Sequence, residues 1–158
     1  MLTHEAPVLD RLMMLSIHPR FVDQIVAGTK TVELRRTRPS VTVGQPVAIY
    51  ATVPSAAVVA TCRVTAIDVC PPEKLWDLVE DCAGIPRSMF DSYFAGSAVG
   101  VGIHLGDVES LEQAVTLGEL RAKGPFYPPQ TWRFFDRDGL KALLAEHPSM
   151  HGLASLLL

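Results

Sequence analysis

The segment HPRFVDQIVAGTKTVELRR, residues 18–36, changes its hydrophobic period at one glycine, which restricts it to a helix running directly into a strand. Before Gly28, the residues Phe21, Val22, Ile25 and Val26 recur at helical spacing. Pro19 suits the first helical position, where its missing N–H costs nothing, and Gly28 suits the left-handed residue just past the last turn. His18, just before the helix, either caps it or faces a ligand. After Gly28 the chain alternates. Side chains two apart in a strand share a face and lie roughly 6 to 7 Å apart, so Thr31, Glu33 and Arg35 project to one side while Val32 and Leu34 turn to the core. Lys30, at the strand entry, is long enough to lean over the polar face. An ammonium, a carboxylate and a guanidinium therefore converge on one small volume.

The remaining segments read as strands interrupted by a helical insertion. Residues 12–17 form a short apolar run, and GQPVAIYAT and AAVVATCRVTAIDV add two strands, the second long enough to wrap around a barrel. Turns fall at RPSVTVGQP and TVPSA. The period then lengthens: PPEKLWDLVEDCAGI sets Leu75, Leu78, Val79 and Cys82 on one helical face, and PRSMFDSYFAG reads as a second helix opened by Pro86. SAVGVGIHLGDVESL returns to strand, with Gly100 and Gly102 marking a bulge or a close backbone approach. TLGELRAKG is a short helix, PFYPPQTWRFF a proline-rich loop entering an aromatic segment, and residues 138–147 a terminal helix. The tail GLASLLL is apolar enough to dock or to associate. The pattern predicts a single α+β domain over residues 1–158, with its core in residues 12–136. It forms a small mixed or antiparallel β-barrel flanked by helices, and not a regular βαβ series.

Several function classes are excluded or disfavoured. A net charge of −3 over 158 residues gives no general attraction to phosphate backbones, so a nucleic-acid contact must come from a local patch. Arg20, Lys30, Arg35, Arg36 and Arg38 are the one basic concentration, although a regular strand aims Arg36 away from Arg35. Cys62, Cys70 and Cys82 are an odd number without a CxxC, which reads as reduced, structural thiols in a cytoplasmic protein. The first fifteen residues lack the apolar stretch of a signal peptide, and no run approaches the roughly 18 apolar residues of a membrane span. His4, His147 and His151 are scattered near the termini and His104 sits in a strand as a core or edge histidine, so no metal site is expected. GVGIHLG does not open a helix, and no cofactor motif occurs.

Four further residues are candidates for the charged cleft. Tyr50, ending its strand, either stacks on a base at the cleft mouth or is half core. Ser55 is a cleft polar group or an ordinary turn serine. Gln130 and Trp132 either close the cleft, with an amide to read a base edge beside an aromatic wall, or Trp132 packs in the core.

The run HPRFVDQIVAGTKTVELRR closely resembles the signature of the ASCH domain, a branch of the PUA-like superfamily, in which a helix ending in Gly-x-Lys feeds a strand with Glu-x-Arg. Gly28, Lys30, Glu33 and Arg35 stand at those positions. VAIYATVPSAAVVATCRV and YPPQTWRFF resemble later segments of ASCH-like proteins. The resemblance implies a small β-barrel flanked by helices, with a cleft lined by the Lys, Glu and Arg positions, in a superfamily that mostly contacts RNA or nucleotides. It implies first a binding domain for RNA or a modified nucleoside, with Lys30, Glu33, Arg35, Arg36, Tyr50, Ser55, Gln130 and Trp132 as contacts and a regulatory role in RNA metabolism or transcription. A second expectation is a hydrolase using Lys30 and Glu33 as an acid and base pair, on acylated cytidine or as a ribonuclease. Glu33 occupies the position of the threonine nucleophile in the amidohydrolase pattern, and Thr31 sits two residues early, which argues against that acyl transfer. The third expectation is a protein-interaction domain, with GLASLLL joining two copies.

Overall fold

The computed structural model describes residues 10–157; the reading of the N-terminal residues 1–9, His4 included, lies outside them. Strand β1 (Arg11–Ile17) runs into helix α1 (Pro19–Ala27), which leads to β2 (Val32–Arg35). Strands β3 (Pro46–Ala51) and β4 (Ala57–Cys70) follow, then helices α2 (Pro72–Val79) and α3 (Arg87–Phe94) as the inserted pair. The chain continues with β5 (Gly100–Thr116), α4 (Leu117–Leu120), β6 (Trp132–Asp136), α5 (Arg137–Leu144) and α6 (Met150–Ala154). This is the expected α+β order.

The six strands form one mixed sheet in the order β2-β5-β4-β3-β1-β6, with β1 and β3 parallel and every other neighbour antiparallel. Register shifts in β4, against both β3 and β5, supply the irregularities by which a long strand bends. The ladder itself does not close, since β2 and β6 are its two ends. A side chain bridges the gap: Arg35 on β2 donates to the Ser16 carbonyl oxygen on β1 at 2.8 Å, across the positions occupied by β5, β4 and β3 in the sheet order. The sheet is therefore bent far enough to bring β2 back beside β1.

Alternation along β1 divides the interior. Met13, Leu15 and Ile17 join one core with Val22 and Ile25 of α1, while Leu12 and Met14 join another with Leu140 and Leu144 of α5. Both faces of β1 are covered, which is why the strand reads as a continuous apolar run. A third core, built from Val32, Leu34, Leu75, Val79, Phe90 and Phe94, seats α2 and α3 against β2 and β5. The apolar tail docks on its own domain, with Leu153 and Leu157 buried in the second core, so these two residues are not available to join copies of the chain.

Local signals around α1 are seen as expected. The His18 Nδ1 accepts from the Arg20 N–H at 3.1 Å, and Gly28 takes φ +85° as its N–H bonds back to the last turn. Two helical assignments need correction. Leu78 is 52% exposed because α2 stops at Val79, which narrows its buried face to Leu75 and Val79. Val26, at the end of α1, is also exposed; Val22 and Ile25 are buried in the first core and Phe21 packs against it. Terminal helix α5 starts one residue earlier than expected, with the Asp136 carboxylate accepting from the Gly139 N–H at 2.7 Å, and ends at Leu144. Among the described residues no helix is long and apolar enough to cross a membrane.

At Gly100 the expected close backbone approach is present. A Cβ there would lie 2.8 Å from Leu75 Cδ2 and 2.9 Å from Phe94 Cε1, so the glycine lets α2 and α3 settle on β5. Gly100→Ala should destabilise the domain by about 1–3 kcal/mol through overpacking, read as a lowered urea midpoint at constant m. Gly152→Ala on α6, where a Cβ would meet nothing within 4 Å, serves as control and should leave stability unchanged or raise it by up to about 1 kcal/mol.

Candidate functional site

The charged segment is carried by a short edge strand. Among the described residues β2 pairs only with β5, Glu33 lying opposite Ile103 and Arg35 opposite Val101, and its Val32 and Leu34 pack into the third core. Those two contacts hold the strand while Lys30, Glu33 and Arg35 are drawn inward. Lys30 is 2% and Glu33 8% exposed, so these two charges are buried, while Thr31 at the start of the same face is exposed.

Lys30 is set by the end of α1. Its N–H donates to the Gln24 carbonyl oxygen at 3.1 Å, and its Nζ donates to the Ala83 carbonyl oxygen at 2.6 Å, in the loop between α2 and α3. The ammonium also lies 5.0 Å from the Phe21 ring centroid. Burial holds the Lys30 pKa below its ordinary 10.5, and the negative charge of Glu33 recovers part of that loss. The loop comes close because residue 84 is glycine: with φ +71°, a Cβ there would lie 2.5 Å from Gln24 Oε1 and 3.2 Å from Lys30 Cβ.

Glu33 and Arg35 are only loosely paired. The Arg35 Nη2 is 3.9 Å from Glu33 Oε1, beyond hydrogen-bond length, because that nitrogen donates to Ser16. Among the described residues no group donates to Glu33 Oε2, and the buried Arg35 Nε has no acceptor. A buried carboxylate oxygen without a donor costs about 1–3 kcal/mol or more, so the site retains unspent hydrogen-bonding capacity.

Lys30 and Glu33 share a cavity of about 100 Å³ with Phe21, Leu34, Ile85, Met89 and Tyr93. Arg35 does not line it; its place is behind Glu33, as the link to β1. Arg36, just past the end of β2, is exposed and lies over Tyr93, its Cζ 4.3 Å from the ring centroid. The aromatic wall thus comes from Phe21 and Tyr93 and not from the residues expected. Tyr50 is 2% exposed and lies in the second core, because β3 alternation sends Val47 and Ile49 to one side and Ala48 and Tyr50 to the other. That burial raises the pKa of its phenol. Ser55 is exposed at the β3–β4 turn and lines a different cavity of about 320 Å³ with Asp23 and Val26. Trp132 packs at the margin of the first core and Gln130 is exposed in the loop before it; neither lines the Lys30 cavity. Thr31 is exposed and also outside that lining. His104, on β5 between β2 and β4, bonds Asp68 at 2.7 Å and is a partnered histidine.

Sequence reading missed the contribution of α3. Met89 and Tyr93 are four residues apart on α3 and Ile85 lies just before its N-cap Pro86, a spacing offset from the core residues Phe90 and Phe94.

The buried ammonium has a measurable signature. Its folded pKa lies below the unfolded value, so the unfolded chain binds more protons between the two and stability rises with pH there. Wild type should therefore gain stability relative to Lys30→Met as pH climbs toward 10.5, measured by urea unfolding at stepped pH. A difference that stays flat or falls across that range would contradict the assignment.

Comparison with known proteins agrees with this architecture. A profile of the ASCH domain matches residues 15–126. An ASCH domain-containing ribonuclease of Zymomonas mobilis subsp. mobilis is 27% identical over 133 residues, spanning 84% of this chain and 89% of the relative. The crystal structure of ASCH from Zymomonas mobilis superposes with a TM-score of 0.78 at 26% identity, covering 85% of this chain and 94% of that one. A serine-to-alanine mutant of the same protein gives the same TM-score, covering 89% and 98%. With the profile spanning the helix–glycine–strand signature and most of the sheet, the chain belongs to the ASCH domain family.

Proposed function

We propose that the domain acts on RNA and that the Lys30–Glu33 cavity receives a nucleobase. The observation that carries this is a pair of buried, opposite charges on one small cavity, with one carboxylate oxygen unserved and two aromatic rings among the walls. A base edge presenting an N–H beside a carbonyl or ring nitrogen matches the pair: Glu33 Oε2 accepts from the N–H and Lys30 Nζ donates to the acceptor. Phe21 and Tyr93 supply faces for the ring. Support for RNA as the polymer comes from the Zymomonas mobilis relative, which is named a ribonuclease. Lys30 and Glu33 are the contacts in this reading, with Arg35 positioning Glu33. Tyr50, Ser55, Gln130 and Trp132 play no part in this pocket.

A second reading, hydrolysis, is favoured by the lowered Lys30 pKa and by the same relative. In RNA cleavage the ribose 2′-hydroxyl attacks the adjacent phosphorus and the 5′-oxygen leaves. Glu33 would take the 2′-proton and Lys30 would give one to the leaving oxygen. No protein nucleophile is needed, so Glu33 in the threonine position does not weigh against it. An acyl transfer on acylated cytidine does need one, and Thr31 lies outside the lining.

The test uses dye-labelled single-stranded RNA nonamers of each base and the corresponding nucleosides, with binding followed by anisotropy and competition and cleavage followed on gels. Lys30→Ala and Glu33→Ala should each weaken binding about tenfold or more, equivalent to about 1.4 kcal/mol, in protein that still melts cooperatively. Cleavage by wild type that falls by about 100-fold or more in both variants would establish the second reading. Wild type that neither binds nor cleaves any of these probes would remove both.

A further inference from the structure

Two exposed arginines, Arg20 and Arg36, do not line the Lys30 cavity themselves but lie against residues that do, and neither pairs with a carboxylate among the described residues. Arg20, in the first turn of α1, has its Cζ 4.8 Å from the Phe21 ring centroid and donates to the Met89 sulfur at 3.7 Å. Arg36 lies over Tyr93 and donates from Nε to the Tyr93 carbonyl oxygen at 2.8 Å. Their anchors, Met89 and Tyr93, are four residues apart on α3, just over one helical turn or about 6 Å along its axis. Arg87 on the same helix differs, since its charge is matched by Glu73 at 2.7 Å and Asp91 at 2.9 Å. A guanidinium has five N–H donors and suits phosphate, and Arg20 and Arg36 each commit one of theirs in these contacts.

The geometry points to a two-arginine clamp on the phosphates flanking the nucleotide whose base enters the cavity. This rests on the base-binding reading of that cavity, and it adds that the ligand is an internal nucleotide of a single strand and not a free nucleoside. A cavity of about 100 Å³ lies well below the size of usual small-molecule sites. Ribose and phosphates therefore stay outside the cavity, within reach of the exposed arginines that contact its lining residues Phe21, Met89 and Tyr93. A base paired in a duplex would first have to leave its stack, which favours unpaired strands.

The experiment compares wild type, the double variant Arg20→Gln with Arg36→Gln, and the double lysine variant, using the RNA nonamers and the matching nucleosides. Wild type should bind the preferred nonamer at least tenfold tighter than its nucleoside. The glutamine pair should erase most of that ratio and reduce the salt slope of log K by about 1.4, at about 0.7 per phosphate for single strands. The lysine pair should restore the slope, which a purely structural role for the arginines would not produce. A glutamine pair that keeps both the ratio and the slope overturns the clamp while leaving the base pocket standing. Wild type that binds neither nucleoside nor nonamer overturns the pocket reading, and the clamp with it.

Discussion

Strand β2 is four residues long and hydrogen-bonded along one edge only, and two inward-drawn cations tie it to the rest of the domain. Lys30, at its entry, reaches the Ala83 carbonyl in the helical insertion, and Arg35, at its end, reaches the Ser16 carbonyl on β1. The apolar pair Val32 and Leu34 supplies the burial that keeps the strand in place, while the cations determine where its polar side faces. Taking such charges from water is costly unless hydrogen bonds replace the lost hydration. Each cation has a backbone carbonyl, so the cost is reduced without consuming the one carboxylate nearby.

That choice of partners leaves Glu33 available. Had Arg35 formed a bidentate pair with Glu33, the carboxylate would have its hydrogen bonds satisfied within the protein. Its long 3.9 Å contact and the donorless Oε2 instead describe a carboxylate held in position with capacity to spare. The contrast with Arg87 is instructive, because that arginine makes two short contacts to exposed carboxylates where solvent screening leaves little net energy. Interaction length alone does not distinguish the two pairs; burial combined with incomplete satisfaction does.

Much of the scaffold was legible in local chemistry. Pro19, the period of Val22 and Ile25, and Gly28 delimit α1 because capping and backbone conformation act over a few residues. Val32 and Leu34 face a core, and Gly100 receives α2 and α3 closely, as spacing and composition suggest. Lys30 and Glu33 share a cavity as strand geometry predicts. Reading failed where a residue had two plausible environments. Tyr50 suits a half-polar cleft as well as a core, and β3 has both faces covered, so alternation gives its face no label. Leu78 belongs to the apolar period of α2, but the helix stops before that side finds a partner.

By itself the sequence determined the helix-to-strand junction, the order of elements and the side-by-side placement of an ammonium and a carboxylate, because periodicity and turn chemistry are encoded between near neighbours. Only the tertiary structure decided that Phe21 and Tyr93, and not Tyr50 or Trp132, wall the cavity, and that Arg35 spends its donor on Ser16. Those outcomes depend on how far the sheet bends and where the inserted helices land, which are set by the packing of three cores drawn from distant parts of the chain.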